Sequence, residues 1–177
     1  MTATATAPER PEAVSLKGKT MTLLGPELKA GDAAPAFTLK ATDMSDKTLA
    51  DYAGKVKVLV TIPSIDTPVC DVETRRFNQE AGTLGDDVVV LIVSIDLPMA
   101  QSRWCGAAGV DCVDCLSDYM TGDFGRDYGV KIKEIGLLCR DIFVIDKDDQ
   151  ITYHEHVEDL ANEPNYDAAL EAVKAAK

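Results

Sequence analysis

Val56 to Ile62 is a largely apolar, β-branched run, the pattern of a strand covered on both faces, and Val88 to Ile95 repeats it. Between them Val69, Val72, Phe77 and Ala81 fall roughly on one side of a helix. Pro98, suited to a first helical turn, opens a second helix through Met99 and Trp104 toward Gly106. Val110 to Leu116 predicts a short strand, and Asp123 to Tyr128 a short helical segment closed by Gly129. Asp141 to Ile145 and Gln150 to Val157 read as a strand pair around the acidic turn Asp146 to Asp149. Tyr166, Leu170 and Val173 at helical spacing mark a closing helix with one buried face.

Ahead of these elements, residues 1–16 read as a flexible tail and 17–177 as one domain. Lys19 to Leu24 and the residues before it suggest a short hairpin turning at Gly18-Lys19. Gly31 to Leu39 is a loop leading into a short extended segment, and Asp51 to Lys55 a turn before the first central strand. Strand, helix, strand, helix, hairpin and helix in that order predict an α/β architecture, a sheet with helices on its faces.

A length of 177 residues suffices for one well-buried core, and 46% hydrophobic with 27% charged residues is ordinary for a globular protein. The net charge of -12 argues against nucleic acid and against anionic membrane surfaces. No apolar stretch approaches the about eighteen residues that span a bilayer. The first residues carry neither a basic start nor an apolar segment, so the expected location is cytoplasmic. Three short motifs carry nothing. Gly18-Lys19-Thr20 lacks the glycine a phosphate loop needs at position 13, where Ala13 stands. Asp123-Phe124-Gly125 has no other kinase element around it, and Ile151 occupies the position where a calcium loop needs glycine.

The five cysteines, Cys70, Cys105, Cys112, Cys115 and Cys139, are an odd number, so a purely structural disulfide framework leaves one over. Cys70 stands where a strand meets a helix, in the first helical turn. Unpartnered amides and the positive end of the helix dipole favour a thiolate there; a buried, inert thiol is the alternative. Thr67 lies three residues before it, close enough for its hydroxyl to face the sulfur, while Pro63 and Pro68 restrict the loop.

This pattern, PxxxTxxC over Pro63 to Cys70 and continuing through Asp71, Thr74, Arg75, Phe77 and Asn78, resembles the active-site signature of the peroxiredoxins, and most closely that of their bacterial thiol peroxidase subfamily. The resemblance covers about Lys17 to Ala175. It implies a thioredoxin-like fold, a central mixed sheet flanked by helices with an added N-terminal β-hairpin. It implies an enzyme that reduces hydrogen peroxide and alkyl hydroperoxides, with Cys70 as the peroxidatic cysteine, Cys105 as the resolving one, and Thr67, Arg140 and the Pro63 pocket assisting. No cofactor or metal is implied; thioredoxin is the implied reductant and a homodimer the implied assembly.

Chemistry gives an independent reason for a second thiol, since it traps a sulfenic acid as a disulfide before over-oxidation. A disulfide needs Cα atoms within about 7 Å, so two helix-borne cysteines predict local unwinding during turnover. Arg140 at the start of a strand is either the arginine that reaches Cys70 or half of an ion pair with Asp141. Asp66, Asp71 and Glu73 are expected to oppose the thiolate by like charge. Cys112-Val113-Asp114-Cys115 has the spacing of a zinc half-site or a redox pair, with Cys105, Cys139, His154 and His156 as further ligands; extra thiols and solvated histidines on a hairpin are the blander reading. The alternative function is accordingly a non-catalytic redox or zinc-responsive thiol protein on the same fold.

Overall fold

A computed structural model describes residues 7–177. Residues 1–6 of the expected tail lie outside the described residues. The remainder of that tail is not a tail, because β1 (Glu9–Leu16) pairs antiparallel with β2 (Lys19–Leu24). Their two-residue turn is Lys17-Gly18, both with positive φ (52° and 77°), one residue earlier than the expected Gly18-Lys19. The strand is hard to read because Glu9 to Leu16 is mostly polar and its register shifts between Arg10 and Val14.

The order continues with β3 (Thr38–Ala41), β4 (Asp46–Thr48), a 3-10 turn (Leu49–Tyr52), β5 (Val56–Thr61), α1 (Pro68–Leu84), β6 (Val88–Ser94) and α2 (Pro98–Ala108). Then follow β7 (Asp114–Ser117), α3 (Asp123–Asp127), β8 (Lys131–Ile132), β9 (Asp141–Ile145), β10 (Ile151–His156) and α4 (Tyr166–Ala176). β8 joins the hairpin in a small sheet β1-β2-β8, while the main sheet runs β10-β9-β5-β6-β7-β3-β4. The main sheet is mixed: β5, β6 and β7 are parallel and the strands flanking them antiparallel.

Alternation along the central strands sorts the core into two layers. Val56, Val58, Val60, Val90, Ile92, Ile142 and Val144 face one side with Phe77, Ala169 and Val173 of α1 and α4. Leu59, Leu91, Val93, Phe143 and Ile145 face the other, under the hairpin residues Val14, Met21 and Leu23 and the aromatics Phe124 and Tyr128. Each such side chain contributes about 1.5–3 kcal/mol by leaving water. The exception is Lys57, fully buried in β5 and ion-paired with Asp149 in the β9–β10 turn.

The inward face of α1 differs from the expected one. Val72 is 49% exposed, and Cys70, Glu73, Thr74 and Phe77 are the buried residues. A helix that buries a carboxylate instead of a valine has a partner waiting for it.

Candidate active site

Cys70 is the third residue of α1, behind the N-cap Thr67 and Pro68, and no part of it reaches solvent. Thr67 accepts the Asp71 amide on its carbonyl at 2.9 Å, and its hydroxyl donates to the Ser64 carbonyl at 3.1 Å. The hydroxyl proton is thus committed to the backbone, leaving the oxygen's lone pairs to accept. Pro63 is buried beneath this loop. Asp96, just past the end of β6, fixes the loop from the neighbouring strand: it accepts from Ser64 Oγ at 2.8 Å, the Ile65 amide at 2.8 Å and Ser94 Oγ at 2.7 Å. Nothing in the sequence pattern singled out Asp96, which stands just after the apolar run that ends at Ile95.

Topology delivers Arg140. Because β9 runs antiparallel to β5, its first residue lies beside the last of β5, with Asp141 opposite Thr61. Arg140 therefore enters from the edge where α1 begins. Its Nη2 donates to Cys70 Sγ at 3.4 Å and to the Leu160 carbonyl at 3.1 Å, and its Nη1 pairs with the Glu73 carboxylate. Arginine and glutamate are 1% and 0% exposed as side chains. Burial pushes the Glu73 carboxyl up to about 7 against the pull of the guanidinium. Burial works to lower Arg140, but the Glu73 charge and the Cys70 sulfur outweigh it and hold the guanidinium protonated. Glu73, expected to oppose the sulfur's charge, is instead the group that holds Arg140 in place. Arg140 Nε has no partner among the described residues, so one N–H of the guanidinium stays free.

Asp141 does not pair with Arg140 either. Its carboxylate turns to the opposite layer, where His154 Nε2 lies at 2.7 Å, His156 Nδ1 at 2.8 Å and Cys139 Sγ at 2.8 Å. His156 also places Nε2 against the Ala13 carbonyl at 2.7 Å, linking β10 to β1. The two histidines expected in solvent are therefore partly buried clasps. Cys139, Asp141 and His156 hold their ligand-capable atoms within 4.8 Å of one another, and hydrogen bonds inside the group satisfy them. Cys112 and Cys115 do not converge: Cys112 is exposed against Asp111, and Cys115 is buried against Cys105.

Burial would raise Asp141, but the hydrogen bonds from His154 and His156 outweigh it and hold the carboxyl at about 2. Burial would lower His156, and the Asp141 carboxylate overrides it, so the imidazole is held above its ordinary value. A depressed carboxyl contributes stability above its unfolded value that is lost as pH falls; a raised imidazole contributes below its unfolded value and is lost as pH rises. From 3.8 to about 2 is nearly two pH units, or about 2–3 kcal/mol. The urea stability gap between wild type and Asp141→Asn is expected to close by about that amount between pH 6 and pH 2. A gap that stays constant over this range would mean the clasp is not ionic.

Cys105 lies on α2, half-buried, with Trp104 beside it donating from Nε1 to Asp71 on α1 at 3.1 Å. All five cysteines are free, so Cys70 and Cys105 stand in separate, intact helices.

A fully buried cysteine in a first helical turn, under a buried arginine at the carboxyl ends of parallel strands, defines a thiol redox protein of thioredoxin-like fold. The Redoxin family model matches residues 29–170. The thiol peroxidase of Oceanobacillus iheyensis is 54% identical over 157 residues, 89% of this chain and 95% of its own. That of Bacillus subtilis is 51% identical over 162 residues, 92% and 96% of the two chains. Among solved structures, a peroxiredoxin-like protein from Aquifex aeolicus is 40% identical with a TM-score of 0.88, covering 94% of this chain and 98% of that one. The chain belongs to the Redoxin family, among its thiol peroxidases, and is a peroxiredoxin-type peroxidase.

Proposed function

We propose that Cys70 is the peroxidatic residue, Cys105 the resolving one, and that Thr67, Arg140 and the Pro63 loop position the peroxide. The observation that carries this reading is the Arg140 fork, 3.4 Å from a fully buried Cys70 sulfur, with one N–H still free. The Cys70 thiolate attacks the terminal peroxide oxygen; the S–O bond forms as the O–O bond breaks. Thr67 accepts from the terminal hydroxyl, and Arg140 donates to the leaving oxygen as negative charge builds on it. The leaving group takes a proton and departs as water or alcohol. Glu73 keeps the guanidinium from turning away.

The Cys105 thiol then condenses with the Cys70 sulfenic acid, an S–S bond replacing S–OH and water leaving. Both sulfurs sit in helices, so the first turn of α1, part of α2, or both must open before they meet. A dithiol protein, thioredoxin as the sequence resemblance implies, returns both thiols. A homodimer is the assembly the same resemblance implies. Among the described residues no helix is long and apolar enough to cross a membrane.

Peptide mass mapping of the reduced protein after one equivalent of an alkyl hydroperoxide tests the assignment. The expected product is a dominant Cys70–Cys105 disulfide. Linkage among Cys112, Cys115 and Cys139 with Cys70 still alkylatable would move the chemistry away from Cys70.

A further inference from the structure

The reduced protein does not bring Cys105 against Cys70; it brings it against Cys115. The two sulfurs are 3.3 Å apart, one on α2 and the other on β7 beneath it. Cys115 is held in the parallel ladder opposite Ile92, so its backbone is fixed, while Cys105 is half-buried at the helix surface. Both line a cavity of about 290 Å³ whose rim includes Thr42, Asp43 and Lys47 from the β3–β4 turn. The two sulfurs stand little more than about 1 Å beyond the roughly 2 Å of a disulfide while α2 and β7 keep their places.

We propose that Cys115 is a third station of the redox cycle, which displaces Cys70 from the Cys70–Cys105 disulfide and leaves a Cys105–Cys115 disulfide for the reductant. This rests on the reading of Cys105 as the resolving thiol. In the exchange the Cys115 thiol gives its proton to water in the cavity and its electron pair to Cys105 Sγ. The S–S bond to Cys70 breaks, and Cys70 leaves as a thiolate. One disulfide replaces another, so no further oxidant or reductant is consumed.

Two features set the direction. The Cys70–Cys105 disulfide holds buried helix residues apart from their native places, whereas Cys105–Cys115 leaves α1 and α2 intact, so refolding drives the exchange forward. The released thiolate also regains Arg140, its partner in the reduced state. A third feature sets the pace. In the reduced protein the hydrogen bond Cys115 shares with Cys105 and its burial push the Cys115 thiol up; the burial remains when Cys105 has moved to Cys70, so the attacking form stays scarce. Exchange therefore loses to a plentiful reductant and prevails when reductant runs short. The enzyme then waits with its oxidised pair at an open cavity and Cys70 ready for another peroxide.

The test is the amount of hydroperoxide consumed per chain by reduced, reductant-free protein, read together with dimedone trapping and mass mapping. Wild type is expected to consume two equivalents, ending with Cys105–Cys115 linked and Cys70 trapped as sulfenic acid. Cys115→Ser is expected to consume one and stop at Cys70–Cys105, a twofold difference. Cys115→Ala, which keeps the site apolar, should behave like the serine variant if the missing thiol is the cause. Wild type stopping at one equivalent with Cys70–Cys105 linked and Cys115 alkylatable overturns the third station and leaves the two-cysteine cycle standing. Absence of any Cys70–Cys105 linkage in Cys115→Ser overturns the resolving assignment as well, and the proposal with it.

Discussion

Cys70→Ser lowers kcat/KM for hydroperoxide by on the order of 10⁴-fold or more, the scale of loss when a nucleophile is removed. The serine hydroxyl is nearly the same size but a far weaker nucleophile toward peroxide than a cysteine sulfur. The fold has no reason to fail, because the change keeps volume and polarity close at a site already facing a guanidinium donor. The urea midpoint should move by no more than about 1 kcal/mol of equivalent stability. Peroxide consumption with a thioredoxin-type reductant and urea unfolding on the same preparation check both halves. Retention of substantial turnover by Cys70→Ser, with its loss in Cys115→Ser instead, would sink the peroxidatic assignment.

Arg140→Met has two expected effects that can be separated. It removes the donor to the sulfur and to the leaving oxygen, which costs about 10²–10³-fold in kcat/KM. It also leaves the Glu73 carboxylate buried without its cation, a loss of about 3–5 kcal/mol in folding stability at neutral pH. Burial already pushes this carboxyl up to about 7, and removing the guanidinium pushes it further. A carboxyl raised above its unfolded value is favoured folded only while protonated, so the variant loses stability as pH rises and is least damaged in mild acid. The double variant Glu73→Gln/Arg140→Met should recover most of the stability and none of the activity. Recovery of both would make Arg140 a structural residue only; recovery of neither would mean that packing, not charge, ties α1 to β9.

The difference between these two residues marks what a sequence can show. Cys70, Thr67 and Pro63 belong to one continuous loop, and their spacing is itself the geometry. The strands β5, β6 and β9 are equally plain, since burial on both faces writes itself as an apolar run. The partnership of Glu73 with Arg140 spans 67 positions and depends on which face of α1 turns inward. Val72 is the more apolar candidate for that face, yet it is exposed; the face is chosen by the arginine arriving from the start of β9. His154 and His156 mislead in the same way. Alternation on a hairpin suggests solvent, and only the fold reveals Asp141 and the Ala13 carbonyl as their partners. The hairpin partner of β2 was expected but its reach was not: the polar, bulged first half of β1 hides it, and its pairing with β2 extends the domain back to Glu9.

The single tryptophan of the chain is residue 104. Its indole bridges from α2 to Asp71 on α1 while the Arg75 guanidinium lies 5.4 Å over its ring. Any opening that lets Cys70 and Cys105 meet must disturb this bridge, because Trp104 adjoins Cys105 and Asp71 adjoins Cys70. The protein thus carries its own unlabelled optical gauge. Emission recorded through a stopped-flow mixing experiment would report helix opening, disulfide closure and return to rest as one continuous signal, without any fluorophore added.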